Sequence, residues 1–225
     1  MTMRFLLPLG LALGMVVGCR SSGSTSTAKS EPTTPSATVA EPGAAVAKVG
    51  IGTDPGGAGM GTALAPKPGD ELAAFAGGCF WGTEDTFRQV PGVVATAVGY
   101  TGGHTKDPTY EDVCSHTTGH AETVLIEFDP KAISYAQLLD VFFQNHDPTT
   151  TNRQGPDVGD QYRSEVFTFS KAQDAAAHEA IARAETKLGK HVVTSVSTLG
   201  AFYKAEDYHQ QWDEKAGKKS CKINL

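Results

Sequence analysis

Three clusters in the chain combine residue types that can do chemistry. The first is Gly77-Gly78-Cys79-Phe80-Trp81. A cysteine there follows a diglycine turn and opens a stretch, Cys79 to Gln89, with Phe80, Glu84 and Phe87 at helical spacing and Pro91-Gly92 as its stop. A helix N-terminus presents free N–H groups and about half a positive charge. Such a setting moves a cysteine pKa from about 8.5 toward roughly 3.5–7.5. A thiolate nucleophile is therefore expected at Cys79, with Phe80 and Trp81 as an aromatic wall. A small buried cysteine among core aromatics fits the same spacing equally well. The second cluster runs from His116 through His120 to Glu122. Two histidines four apart beside a carboxylate suggest a metal. The His-Glu-x-x-His order of zinc proteases is absent, however, and Gly119 sits badly in a helix. Glu122, at a strand start beside a loop, reads instead as a buried acid whose desolvated carboxyl donates a proton near neutral pH, or as a plain exposed strand residue. The third cluster, Asn152 to Ser164, is dense in hydrogen-bonding groups and poor in core formers, and reads as a binding loop.

Strands and helices must position these clusters. Strand patterns cover Leu72–Ala76, Val93–Tyr100, Glu122–Phe128, Glu165–Phe169 and Val192–Leu199. Besides Cys79–Gln89, helices are expected over Tyr135–Gln144 with Ser134 as N-cap, and from a Ser170/Gln173 capping box to Leu188. A last helix is expected over Glu206–Lys215. Thr101–Gly119 and His146–Tyr162 read as long loops, which in compact domains are more often functional than idle. Without a regular crossover rhythm, the expected class is α+β, a two-layer domain with a mixed sheet and flanking helices.

The 225 residues carry a net charge of -6, which argues against nucleic acid as a partner. All aromatic residues but Phe5 lie in residues 71–225, a length that can bury a sizeable core. Residues 1–18 read as a signal peptide: Arg4, then an apolar run from Phe5 to Val17 that is too short to span a membrane. The run ends in Val16-Val17-Gly18-Cys19, which resembles a bacterial lipobox and implies lipid attachment at Cys19. Of the 51 residues from Arg20 to Asp70, 37 are Gly, Ala, Ser, Thr or Pro and none is aromatic, so residues 19–70 read as a lipidated N-terminus and disordered linker. The expected location is that of an exported, membrane-anchored lipoprotein, periplasmic or on the cell surface, and the domain is expected to be a monomer.

Gly-Cys-Phe-Trp-Gly at 78–82, Gly-Tyr-x-Gly-Gly at 99–103, Pro-Thr-Tyr at 108–110, Thr-Gly-His-Ala-Glu at 118–122 and the Gln-Gly…Gln-Tyr-Arg-Ser loop at 154–164 together resemble the A-type peptide-methionine sulfoxide reductases, which act on the S epimer. The resemblance spans about residues 73 to 212. It implies Cys79 as nucleophile on the sulfoxide sulfur, Glu122 as the acid for the departing oxygen, and Tyr110 and Tyr162 as phenols bonded to that oxygen. It implies Phe80 and Trp81 as the pocket for the ε-methyl group, and Asp157 as a carboxylate that helps hold the substrate. No bound cofactor and no metal are implied. Cys221, in a tail taken as mobile from about residue 213, is expected to resolve the Cys79 sulfenic acid, with Cys114 or an external thiol as the alternative. A thioredoxin-like dithiol would then reduce the disulfide. Two other readings compete: a surface-anchored cysteine hydrolase with a histidine base, and a metal- or peptide-binding lipoprotein using His104, His116, His120 and His146.

Overall fold

The computed structural model describes Pro55, Ala58 and residues 64–217. Its centre is a six-stranded mixed sheet. The strands are β1 (Glu71–Gly77), β2 (Val93–Thr101), β3 (Ala121–Phe128), β6 (Ser164–Thr168), β7 (Ser195–Thr198) and β8 (Tyr203–Lys204), in the spatial order β7-β6-β1-β3-β2-β8. Only the β6–β7 pair is parallel. A separate hairpin pairs β4 (Arg153–Gln154) with β5 (Asp157–Val158). The helices are α1 (Phe80–Arg88), α2 (Tyr110–Cys114), α3 (Tyr135–Gln144), α4 (Lys171–Leu188) and α5 (Trp212–Lys215).

Strand alternation divides the core between the two faces of the sheet. Ala73, Phe75, Val98, Tyr100, Val124 and Ile126 point to one face, where Phe80 and Phe87 of α1, Leu138, Leu139 and Phe142 of α3, and Ala177, Ala180 and Ala184 of α4 cover them. Ala74, Ala76, Ala97 and Leu125 point to the other, covered by Phe202, Ala58, Leu64 and Leu199. The fold is α+β, as expected. Ala58 and Leu64 reach the sheet ahead of the expected start at Glu71, and the Lys67 amide donates to Glu127 Oε1 at 3.2 Å.

Several local expectations need correction. α2 lies inside the supposed loop 101–119, nucleated by a Thr109/Asp112 capping box. At α4 the box is half made: Ser170 Oγ accepts from the Gln173 amide, but the Gln173 side chain accepts from Phe169 and donates to the Leu72 carbonyl at 2.7 Å. The last helix is only α5. Gln211 takes φ 50, a left-handed conformation that breaks any helix running in from Glu206. Asp213 is buried and Glu214 bonds Arg88 at 2.6 Å, so the packed chain runs past residue 213. Cys19 and Cys221 lie outside the described residues.

Candidate active site

Cys79 is the N-cap of α1, with φ -54 and ψ 121. The chain reaches it through Gly78, whose φ of +98 disfavours any side chain, and a Cβ there would stand 2.5 Å from Gln154 Cγ. Gln154 is buried and clamps both backbone groups of Asp147, accepting its N–H at 3.0 Å and donating to its carbonyl at 3.1 Å. The β4–β5 hairpin is thereby pressed onto the turn that presents Cys79.

Glu122 enters from the second position of β3, paired in register with Tyr100 of β2. It is 2 % exposed, and its Oε2 accepts the Phe80 N–H at 3.0 Å, one residue beyond the cysteine. Burial, opposed by that N–H and reinforced by Asp157, raises its carboxyl to about 8. Near neutral pH it therefore holds a proton it can give away. The thiol departs from expectation. Burial first, then the charge of Glu122, push Cys79 up to about 12, against the N–H groups of Trp81 and Gly82 that favour thiolate. The helix N-terminus acts with the predicted sign, but burial and two carboxylates outweigh it. Protonating Glu122 removes one of those charges.

The other expected residues converge here. Tyr162 ends a 3₁₀ turn, Asp160–Tyr162. Burial and then the charges of Glu122 and Asp157 hold its phenol protonated above the ordinary range. Tyr110 opens α2, its hydroxyl hydrogen-bonded to Cys114, and it too is raised, by burial and then by Cys114. Both phenols are thus donors at any working pH. Asp157 lies in β5, close enough to raise both Cys79 and Glu122. Phe80 is buried against Tyr100 and His209, with ring centroids at 5.9 and 5.2 Å.

His209, Trp212 and Glu206 were not singled out from the sequence. Trp81 Nε1 donates to His209 Nδ1 at 3.0 Å, and the Trp81 ring stacks on Trp212 at 4.3 Å. Glu206 accepts from the Tyr110 amide at 2.9 Å and from the Tyr100 hydroxyl at 3.0 Å, which fixes the entry to α2. The available signal is the run Glu206-Asp-Tyr-His209-Gln-Gln-Trp212, with polar and aromatic residues at i, i+3 and i+6, a spacing that also fits a single helix.

The histidines do not support the rival readings. His120 accepts from the Gly103 amide at 3.1 Å and donates to the Thr105 carbonyl at 2.8 Å. His146 donates to the Phe142 carbonyl and accepts from Ser164, both at 2.7 Å. His116 bonds Gln161 at 2.8 Å. Among the described residues no group of three or more His, Cys, Asp or Glu could hold a metal ion, and no histidine is hydrogen-bonded to Cys79 as a hydrolase base would be.

A protonated buried carboxyl, two phenols and a half-buried thiol around an aromatic wall suit an acceptor oxygen attached to an apolar group. The defining sequence pattern of the peptide methionine sulfoxide reductases matches residues 71–225. The chain belongs to that family, as an A-type member. The reductase is 55% identical over 153 residues to MsrA of Methanothermobacter thermautotrophicus, covering 67% of this chain and 90% of the relative. It is 58% identical over 155 residues to MsrA of Methanosarcina acetivorans, covering 68% and 82%. Its structure is similar to reduced Mxr1 of Saccharomyces cerevisiae, with TM-score 0.66 and 36% identity over 70% of this chain and 92% of that one. It is also similar to methionine sulfoxide reductase A of Corynebacterium diphtheriae, with TM-score 0.66 and 34% identity over 76% and 88%. The reductase is thus an oxidoreductase acting on methionine sulfoxide.

Proposed function

We propose that the protein reduces the S epimer of methionine sulfoxide, free or in oxidised proteins, through a sulfenic acid on Cys79. Repair of methionine sulfoxide by one enzyme per epimer is general redox biochemistry. The observation that carries the reading is the Glu122 carboxyl, protonated up to about pH 8 and bonded to the amide next to the nucleophile. A sulfoxide oxygen leaves poorly unless protonated. In the reaction Cys79 sulfur attacks the sulfoxide sulfur while Glu122 protonates the oxygen, with Tyr110 and Tyr162 donating to it. The S–O bond breaks and the oxygen passes to Cys79. Thiol plus sulfoxide become sulfenic acid plus thioether, the Cys79 sulfur losing two electrons and the substrate sulfur gaining two. Phe80 and Trp81 take the ε-methyl group, and Asp157 helps hold the substrate.

Cys221 then attacks the Cys79 sulfenic sulfur, water leaves, and a thioredoxin-like dithiol reduces the resulting disulfide. Its position supports this role. Cys221 lies four residues after Gly217, a span of at most about 14 Å, and the described chain just before it packs on α1, the helix that Cys79 opens. The N-terminal sequence supports export and lipid anchoring at Cys19, with the linker as a tether to a periplasmic or outer face.

Incubation of the full chain with each epimer of an N-acetylated methionine sulfoxide amide and dithiothreitol tests the activity. Consumption of the S epimer alone is expected; turnover of neither epimer, or of the R epimer, would overturn the reading.

A further inference from the structure

The large apolar side chains exposed among the described residues are Val158, 67 % exposed, and Tyr208, 58 % exposed. Each is the immediate chain neighbour of a site residue. Val158 follows Asp157 in β5, and Tyr208 precedes His209 and packs on its ring at 4.1 Å. They approach the reaction centre from two different segments, one through the hairpin clamped to Gly78 and one through the turn beside Tyr110, whose ring lies 4.6 Å from His209. Isolated exposed apolar residues are ordinary on protein surfaces, but here each of the two adjoins, along the chain, a residue packed at or electrostatically coupled to the site.

Both are held on rigid supports. Gln154 fixes the hairpin through its two bonds to Asp147. Gln210 fixes the Tyr208 turn, accepting from the Val98 amide at 2.9 Å and donating to the carbonyls of Val98 and Ala205 at 2.9 and 2.8 Å. Anchors ordered in advance lose little entropy when a partner covers them. These segments and the elements next to them are acidic: Asp157 stands on the hairpin, Glu206 and Asp207 on the Tyr208 turn, Glu111 and Asp112 on α2, and Asp160 on the 3₁₀ turn. Their cations are largely occupied, with Arg153 donating to the Gly155 carbonyl at 2.9 Å, Arg163 bonded to Glu165 at 2.6 Å and Lys204 3.9 Å from Asp207; Lys106 is exposed on the 101–119 loop.

Building on the proposed reduction at Cys79, we propose that Val158 and Tyr208 are anchor points for the polypeptide on either side of the oxidised residue. The partner that fits is an extended, exposed segment with apolar side chains flanking the methionine sulfoxide and Lys or Arg near them. Acidic segments are disfavoured by the carboxylates of the rim.

The test compares substrates that share the reacting group. With dithiothreitol as reductant, kcat/KM of the full chain is measured on the S epimer of the small sulfoxide amide and on nine-residue peptides flanked by Leu and Lys, by Ser, or by Glu. The same series is run on the variant carrying Tyr208→Ser and Val158→Ser. The Leu/Lys peptide should exceed the Ser and Glu peptides by about tenfold or more, which is about 1.4 kcal/mol. The variant should lose that preference while keeping parental kcat/KM on the small amide. An equal fall on amide and peptides, or no fall on the Leu/Lys peptide, overturns the proposal. So does a variant impaired only when thioredoxin replaces dithiothreitol, since the surface would then serve the reductant. If the parent does not turn over the small amide, the proposed activity fails first and this proposal with it.

Discussion

At Cys79 and Glu122 the two titrations are tied together. The carboxylate opposes the thiolate, and the neutral acid both relieves that opposition and supplies the proton. Glu122→Gln keeps the size of the side chain and removes both the charge and the acid. Two effects of opposite sign follow. The alkylation midpoint of Cys79 should move down, because a neutral amide no longer repels the thiolate. The single-turnover rate of sulfoxide reduction should fall about 100-fold or more, a typical general-acid contribution. In the parent that rate should decline as pH rises through about 8, where Glu122 loses its proton, and the variant should lack this limb. An unmoved alkylation midpoint or an unchanged rate would remove Glu122 from its role. At this scale the sequence was half legible. The motif around Cys79 marks a helix N-terminus, and that is where the thiol stands. What local spacing could not carry is the carboxylate on β3, 42 residues beyond Phe80, or the burial that reverses the sign of the pKa shift.

The elements show where pattern reading holds and where it stops. β1, α1, β3, α3 and α4 were placed within a residue or two, because each has a strong period and a clear stop such as Gly189 at φ 61. α2 and β8 were missed for being short, and the last helix was overextended because nothing local marks Gln211 as left-handed. Pairing across the sequence completes that region. Buried Glu84 accepts from the Gln211 amide at 2.7 Å and from its side chain at 3.0 Å. His146 plays a similar tying role at the end of α3, joined through Ser164 of β6 to Thr194 at 2.7 Å. Burial lowers it to about 4, so it stays neutral where an unfolded histidine, near 6.5, takes a proton. Below pH 6.5 the unfolded chain thus binds a proton that the fold refuses, and stability is lost as pH falls toward 4, by roughly 3 kcal/mol across the window. Urea midpoints at pH 7 and pH 4.5 should show this loss in the parent and a smaller one in His146→Asn. An equal loss in both would assign the effect to other groups.

On the scale of the whole molecule, an ordered reductase domain follows a long segment too poor in apolar and aromatic residues to build a core. The sheet places Cys79, Glu122, Tyr110, Tyr162 and Asp157 at one end of its central strands, although they are spread over 84 residues of chain. The start of a folded domain near residue 71 was legible from composition and coincides with β1 and with the family match, while the docking of Ala58 and Leu64 on the back of the sheet was not, since two small apolar residues in a low-complexity stretch carry no periodic signal. In cells that export the protein, mass spectrometry of the membrane fraction should find Cys19 acylated at a new N-terminus. An unmodified or differently cleaved N-terminus would contradict the anchor. The most direct measurement uses the Cys221→Ser chain without reductant, exposed once to each sulfoxide epimer. The S epimer should yield about one methionine per protein and a sulfenic acid on Cys79, trapped as its dimedone adduct and identified by mass; the R epimer should yield neither. An absence of methionine with the S epimer, or an adduct on any other cysteine, would contradict the account.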